Sequence, residues 1–209
     1  MRFILAALLC LLTGAAAAQE HPVFNTKVHP PHATALLDML KAGGLILYFR
    51  HGATPDYMEP GITDFADCAP QRMLNALGRA QAARIGEAMR GLALRIDKVI
   101  SSPYCRCVDT ATIAFGRATA SEDVRDGGDK AALRRRLATK PRDGFNDVIL
   151  GHGGASGMFG EEFLREAEAM ILRPDGAGGY TLIARMRVDS WHQLMPSNRV
   201  PPPDKPRAP

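Results

Sequence analysis

Aromatic side chains are scarce in this sequence: one Trp, four Tyr and eight Phe make up 6% of 209 residues. With so few rings, and no basic stripe interleaved with them, the stacking platforms that hold single-stranded nucleic acid are missing. A dominant charge is also lacking. Lys and Arg number 26 against 22 Asp and Glu, a net +4. That excess suits a small anionic ligand, and no nucleic-acid partner is expected. No apolar run reaches the ~20 residues that a bilayer span requires. The run from Phe3 to Leu12 follows Arg2 and leads into Gly14 and Ala15 to Ala18, the layout of a secretory leader cut after Ala18. The mature chain is therefore expected to be periplasmic or secreted, with no stable membrane span.

Cysteine is nearly absent, with four in all. Removal of the leader takes Cys10 and leaves Cys68, Cys105 and Cys107, which in an oxidising compartment suggests one disulfide and one free thiol. Cys105 and Cys107 are two apart and diverge on a helix, so only one of them can face Cys68. Cys68 with Cys105 is the preferred pairing; Cys68 with Cys107, or three buried thiols, are the alternatives. No His or Cys stands at ligand spacing around them, so no metal is expected there.

What remains, 46% hydrophobic and 23% charged, has room for one globular core. Residues 19–33 carry His21, Pro22, His29, Pro30, Pro31 and His32 and read as an extended, proline-broken arm. The domain proper is expected over 34–195. Residues 196–209 hold six prolines and read as a tail without a core of its own.

Within 34–195, strand-like and helix-like stretches alternate, the signature of an α/β fold: three αβα layers, with a mostly parallel central sheet and helices on both faces. Strands are predicted at Leu45–Phe49, at Val99-Ile100, at Val148–Leu150 and at Tyr180–Met186, the last after the turn Asp175–Gly179. Helices are predicted at Leu74–Leu92, at Tyr104–Phe115 with Gly116 as its stop, at Asp129–Lys140 and at Glu161–Met170. The Arg134-Arg135-Arg136 run reads as a solvated face.

Three of these strands end in chemically matched residues: Arg50-His51-Gly52, then Ser102-Pro103 leading to Arg106, then Gly151-His152-Gly153. The carboxyl ends of neighbouring parallel strands share one crevice, so two imidazoles and two guanidiniums could converge from distant positions. Guanidinium forks match phosphoryl oxygens and hold their charge during transfer. A neutral imidazole is a competent nucleophile toward phosphorus.

These segments, with Thr54 after the first and Thr110-Ala111 after the second, resemble in order and spacing the histidine phosphatase superfamily, the group that includes phosphoglycerate mutases and broad phosphatases. The resemblance runs from about Leu45 to Met186. It implies a histidine acid phosphatase-like phosphomonoesterase that needs no metal or other cofactor. In it His51 becomes phosphohistidine, and Arg50, Arg106 and His152 hold the phosphoryl oxygens, with Thr54 adding a hydroxyl. The partner is then a small phosphorylated substrate or inorganic phosphate.

Mutase-like members carry a Glu proton donor in a Leu-x-Glu context, and the nearest equivalent here is Val124-Arg125-Asp126. Asp126 is thus the candidate acid alongside His51 and His152, with Glu122 and Asp123 as rivals. Another branch places an Asp directly after the second histidine, where this chain has Gly153. Arg72 reads as a surface ion-pair residue that is also within reach of substrate. Substrate choice is assigned to the loops Asp56–Pro70 and Gly154–Glu162.

Two other readings compete. One is a phosphate-binding module of the same fold with little turnover. The other is a serine esterase built on Gly151–Gly154 and Ser156, although Gly154-Ala155-Ser156-Gly157-Met158 fails the Gly-x-Ser-x-Gly elbow at its last position.

Overall fold

The computed structural model describes residues 30–154 and 163–195. The leader, most of the N-terminal arm, Ser156 and the proline-rich tail lie outside the described residues. Helix α1 spans Pro30–Ala42, β1 Ile46–Arg50, α2 Ala76–Gly91, β2 Ile96–Ser101, α3 Cys105–Phe115 and β3 Thr119–Ala120. A single 3-10 turn, Glu122–Val124, precedes α4 (Lys130–Ala138), β4 (Asn146–Gly151), β5 (Ala169–Pro174), β6 (Tyr180–Met186) and α5 (Val188–Gln193). No described helix is long and apolar enough to cross a membrane.

The six strands form one sheet in the order β3-β2-β4-β1-β5-β6. The three pairs from β3 to β1 are parallel, and β5 runs antiparallel to both β1 and β6. Successive side chains of a strand point to opposite faces, and the sheet divides its apolar residues accordingly. Leu47, Phe49, Val148 and Leu150 face one core with Leu36 and Leu40 of α1, Ile85 and Met89 of α2, Ala111 of α3 and Trp191 of α5. Ile46, Tyr48 and Ile149 face the other, with Leu133 and Leu137 of α4. Helices thus cover both faces of a sheet that is parallel at its centre, the α/β layering expected from the alternation. The layer of α1, α2, α3 and α5 is held by large contacts such as Trp191 stacked on Phe49 at 5.8 Å.

Two local expectations differ from what the chain does. A helix is predicted over Glu161–Met170, of which residues 163–170 are described. Instead Ala169 and Met170 open β5, and Ala167 takes a left-handed φ of 59° that no α-helix accommodates. The buried run Ala169–Leu172 pairs with β1 on one side and β6 on the other, so tertiary pairing overrides a weak local period. The arm expected to end near Ala33 contains the start of α1 at Pro30. Proline is tolerated in a first helical turn because those N–H groups have no intrahelical acceptor.

Between β1 and α2 the backbone passes very close to itself. A Cβ on Gly78 would lie 2.1 Å from the Ala53 carbonyl oxygen, and one on Gly52 would lie 2.6 Å from that of Gly78. Asn75 caps α2 by accepting the Gly78 N–H at 2.8 Å, while its own N–H donates to Ala53 O. The glycines therefore set how closely the helix start approaches the end of β1. Gly78→Ala is expected to cost about 3 kcal/mol of unfolding free energy through overpacking against backbone. Gly61→Ala, with nothing within 4 Å, is expected to change it by less than about 0.5 kcal/mol. Urea unfolding checks both values, and equal losses would contradict the close approach.

Candidate active site

The parallel register of β2, β4 and β1 aligns their carboxyl ends: Arg50 is paired with Gly151, and Ser101 with Leu150. The ladder runs one residue further on each side, with His51 N–H donating to Gly151 O at 3.1 Å and Ser102 N–H to Leu150 O at 2.7 Å. His51, His152 and Ser102 consequently stand beside one another. The two imidazole centroids are 5.5 Å apart, and Ser102 Oγ shares a 2.9 Å hydrogen bond with His152 Nε2.

Four consecutive N–H groups fix the chain at His51. After the His51 bond to β4, Gly52 donates to Thr110 Oγ1 of α3, Ala53 to Gln81 Oε1 of α2, and Thr54 to Glu166 Oε1. The imidazole is 2% exposed, and its Nδ1 lies 2.8 Å from Gly52 O. A carbonyl can only accept, so Nδ1 carries the hydrogen and Nε2 keeps a free lone pair. Burial lowers the His51 pKa to about 3, with Arg106, Arg50 and Arg72 adding to the effect against the opposing Gly52 bond. Burial, His51 and the same three arginines hold His152 well below its usual range. Both rings are therefore neutral at ordinary pH.

Each arginine reaches the site from a different element. Arg50 ends β1, donates Nη1–H to Leu164 O at 2.9 Å, lies 5.0 Å from the Phe163 ring centroid and stands 3.7 Å from Glu166. Arg106, in the first turn of α3, is 4% exposed. Its guanidinium lies over Tyr104 at 4.2 Å, and its Nη1 contacts both Glu59 oxygens at 2.9 and 3.1 Å. Arg72 hydrogen-bonds to Tyr57 O and has no carboxylate partner for its guanidinium among the described residues. The surface ion pair expected for it is absent; instead its charge acts on both histidines and on Arg50. The Nε atoms of Arg50, Arg72 and Arg106 are all buried without a partner among the described residues. Three unpaired cationic donors around one pair of neutral imidazoles form a cradle for an oxyanion, since buried donors of this kind are costly unless something accepts from them.

The rest of the cradle is structural. Tyr48 Oη both accepts from the N–H and donates to the carbonyl of His152 at 3.1 Å. Gly151 is required beneath it, because a Cβ there would fall 2.2 Å from that hydroxyl. Cys107 is buried and free, with Sγ 3.7 Å from His152 Nε2; burial pushes its thiol up to about 12, so it remains neutral. Cys68 is bonded to Cys105, the preferred pairing, which ties the loop carrying Glu59 and Arg72 to the start of α3. Gln71 reinforces that tie by accepting the Cys105 N–H at 2.9 Å and donating to Phe65 O and Asp67 O.

Among the carboxylates, Asp126 lines a cavity of about 260 Å³ together with Tyr48, Lys130, Leu133 and His152, and no ion pair or side-chain hydrogen bond engages it among the described residues. Its two rivals are engaged: Glu122 with Arg125 Nε at 3.0 Å, and Asp123 with Arg136 Nε at 2.7 Å and with Ser121. Burial opposes ionisation of Asp123, but those hydrogen bonds outweigh it and its pKa is lowered. The Thr54 hydroxyl donates to Glu166 at 3.1 Å, so that carboxylate takes the hydroxyl that the sequence reading assigned to phosphate. Glu59 and Glu166 were not singled out from sequence. An isolated loop acid carries no periodic signal, and Glu166 had been placed in a helix. No group of three or more His, Cys, Asp or Glu side chains among the described residues is arranged to hold a metal ion.

Comparison with known proteins agrees with this geometry. Residues 46–127 match the family model described as histidine phosphatase superfamily, branch 1; the span includes His51, Arg106 and Asp126. None of the curated proteins searched matches the sequence. Among solved structures, the protein histidine phosphatase SixA in complex with tungstate superposes with a TM-score of 0.52 at 16% identity, over 69% of this chain and 97% of that one. The SixA protein of Agrobacterium tumefaciens gives 0.52 at 19% identity, over 68% and 96%. A histidine-to-alanine variant of phosphoserine phosphatase from Entamoeba histolytica, bound to phosphoserine, gives 0.50 at 14% identity, over 70% and 98%. At these identities the likeness is one of fold, and residues 46–127, which carry the first two motif segments, match the histidine phosphatase superfamily model independently.

Proposed function

We propose that this protein is a phosphomonoester hydrolase that works without a metal, through a phosphohistidine formed on His51. The observation that carries the reading is the pairing of a bare His51 Nε2, fixed by the Nδ1–H to Gly52 O bond, with three unpartnered guanidinium Nε donors. The tungstate-bound and phosphoserine-bound neighbours are of the same fold and support an oxyanion as the kind of ligand this fold takes.

In the first step Nε2 attacks phosphorus and the ester P–O bond breaks. The leaving oxygen takes a proton, for which Asp126 is the candidate donor, being the acid of its segment free of ion pairs. Arg50, Arg72 and Arg106 hold charge on the equatorial oxygens, the role a metal ion plays in other phosphoryl-transfer sites. In the second step water attacks phosphorus and the N–P bond breaks; the Asp126 carboxylate takes the proton that the water gives up, so inorganic phosphate leaves and both neutral His51 and the protonated acid are restored. We also propose that the protein is exported. The leader-like residues 1–18 support this, as does the disulfide, since such bonds persist in oxidising compartments.

Turnover of phenyl phosphate in the presence of a chelator is the direct test. His51→Ala is expected to lose at least about 10³-fold in kcat, and Arg106→Ala about 10²–10³-fold in kcat/KM. Rapid acid-free quenching should trap an acid-labile phosphoryl group on the wild-type chain and none on His51→Ala. Equal rates in wild type and His51→Ala would refute the mechanism, and tight phosphate binding without any label would favour the non-hydrolysing module. Asp126→Asn is expected to slow an alkyl phosphate by about 10²-fold and an activated aryl phosphate far less, because general acid matters most for a poor leaving group.

The neutral histidines also set a pH dependence of stability. His51 has a folded pKa of about 3, below the unfolded value of about 6.5. As pH falls below about 6.5 the unfolded chain binds the proton first, and stability drops by about 1.4 kcal/mol per pH unit for each such histidine until the folded pKa is reached. Denaturant unfolding between pH 6 and 4 should show this slope, with His51→Gln shallower by about one histidine's share; an unchanged slope would mean that His51 is not held neutral.

A further inference from the structure

We infer that the alcohol portion of the substrate is apolar: the site takes phosphomonoesters whose leaving group carries an alkyl or aryl body, in preference to small polar ones. This rests on the phosphatase reading above and concerns the part of the substrate that the arginines do not touch.

Four large hydrophobic side chains are exposed among the described residues: Tyr57 at 48%, Met58 at 96%, Leu77 at 60% and Phe163 at 60%. All four lie on segments that border the oxyanion cradle. Phe163 lies over the Arg50 guanidinium and against Gly153, where a Cβ would meet its ring at 2.3 Å, one residue from His152. Tyr57 accepts from Arg72 Nη1 through its carbonyl and donates its hydroxyl to Gln71 O. Met58 precedes Glu59, whose carboxylate sits on Arg106. Leu77 is in the first turn of α2, beside Gly78, which packs on Ala53 two residues beyond His51.

Single exposed apolar side chains are normal on any protein, but among the described residues the large ones all fall on segments next to one charged pocket, the arrangement of a binding mouth. The segment bearing Tyr57 and Met58 is also held in place, by the Cys68–Cys105 bond and the Gln71 hydrogen bonds. A hydrocarbon body leaving the phosphoryl group would therefore meet preformed apolar surface, whereas a hydroxylated or charged one would lose water there without replacement partners.

Alkylphosphonates test this without depending on turnover, because their P–C bond is not hydrolysed. On the full chain, titration calorimetry is expected to show hexylphosphonate binding at least about tenfold tighter than methylphosphonate, given about fourfold per fully buried methylene and partial burial at an open rim. The exposed pair Met58→Ser and Leu77→Ser, introduced together, should remove several-fold of that preference and leave methylphosphonate affinity unchanged. In turnover, kcat/KM for hexyl phosphate should exceed that for ethyl phosphate, whose leaving alcohol has nearly the same acidity. Equal affinities for the two phosphonates, or a preference that survives the double substitution, would overturn the inference while leaving the phosphatase reading intact. Failure of both phosphonates to bind, with no hydrolysis of phenyl phosphate, would overturn both.

Discussion

Four consecutive backbone donors, from His51 to Thr54, are captured by β4, by α3, by α2 and by the segment leading into β5. On this anchorage the remaining geometry depends. It leaves the His51 imidazole no latitude to swing, and the carbonyl that takes its Nδ1 hydrogen belongs to the same tethered stretch. In the proposed reaction, preorganisation of this kind would let a buried neutral ring serve as nucleophile with little reorganisation. The close Gly52–Gly78 contact has the same origin, since larger residues would push the anchoring helix away.

Electrostatics then follows from what the fold withholds. Carboxylates partner two of the pocket guanidiniums on their outer nitrogens only: Glu59 on Arg106 Nη1, and Glu166 within 3.7 Å of Arg50 Nη2. The inner Nε donors are left without acceptors among the described residues. The carboxylates thus offset part of the positive charge, and what remains adds to burial in lowering both imidazoles and favours an anion. Away from the pocket, Glu168, 3% exposed, is matched in a two-point contact by Arg185.

Much of this was legible in the residue order. Apolar runs ending in Arg50-His51, Ser102 and Gly151-His152 identify themselves as buried strands with polar tips, and strand tips of a parallel sheet converge by a general rule. The fold class, the central strands and the helices α2, α3 and α4 follow from the same patterning. Helix α5 escapes because six residues hardly exceed one and a half turns and give no period to read. Strand β5 escapes because its strongest determinant is pairing on both edges, a non-local term. Arg72 and Glu59 escape because a charged loop residue looks the same in sequence whether it meets water or a pocket.

By itself, then, the amino-acid order determined which imidazoles and guanidiniums stand at strand ends and which strands deliver them, since periodicity and strand-end composition are local properties. The tertiary structure decided the rest. It set which tautomer His51 holds and recruited Arg72 into the cradle. It engaged Glu122 and Asp123 in ion pairs while leaving Asp126 free, and turned the Thr54 hydroxyl to Glu166. Each of these depends on distances between groups far apart in the chain, where burial and hydrogen-bond partners are assigned only once the layers have packed.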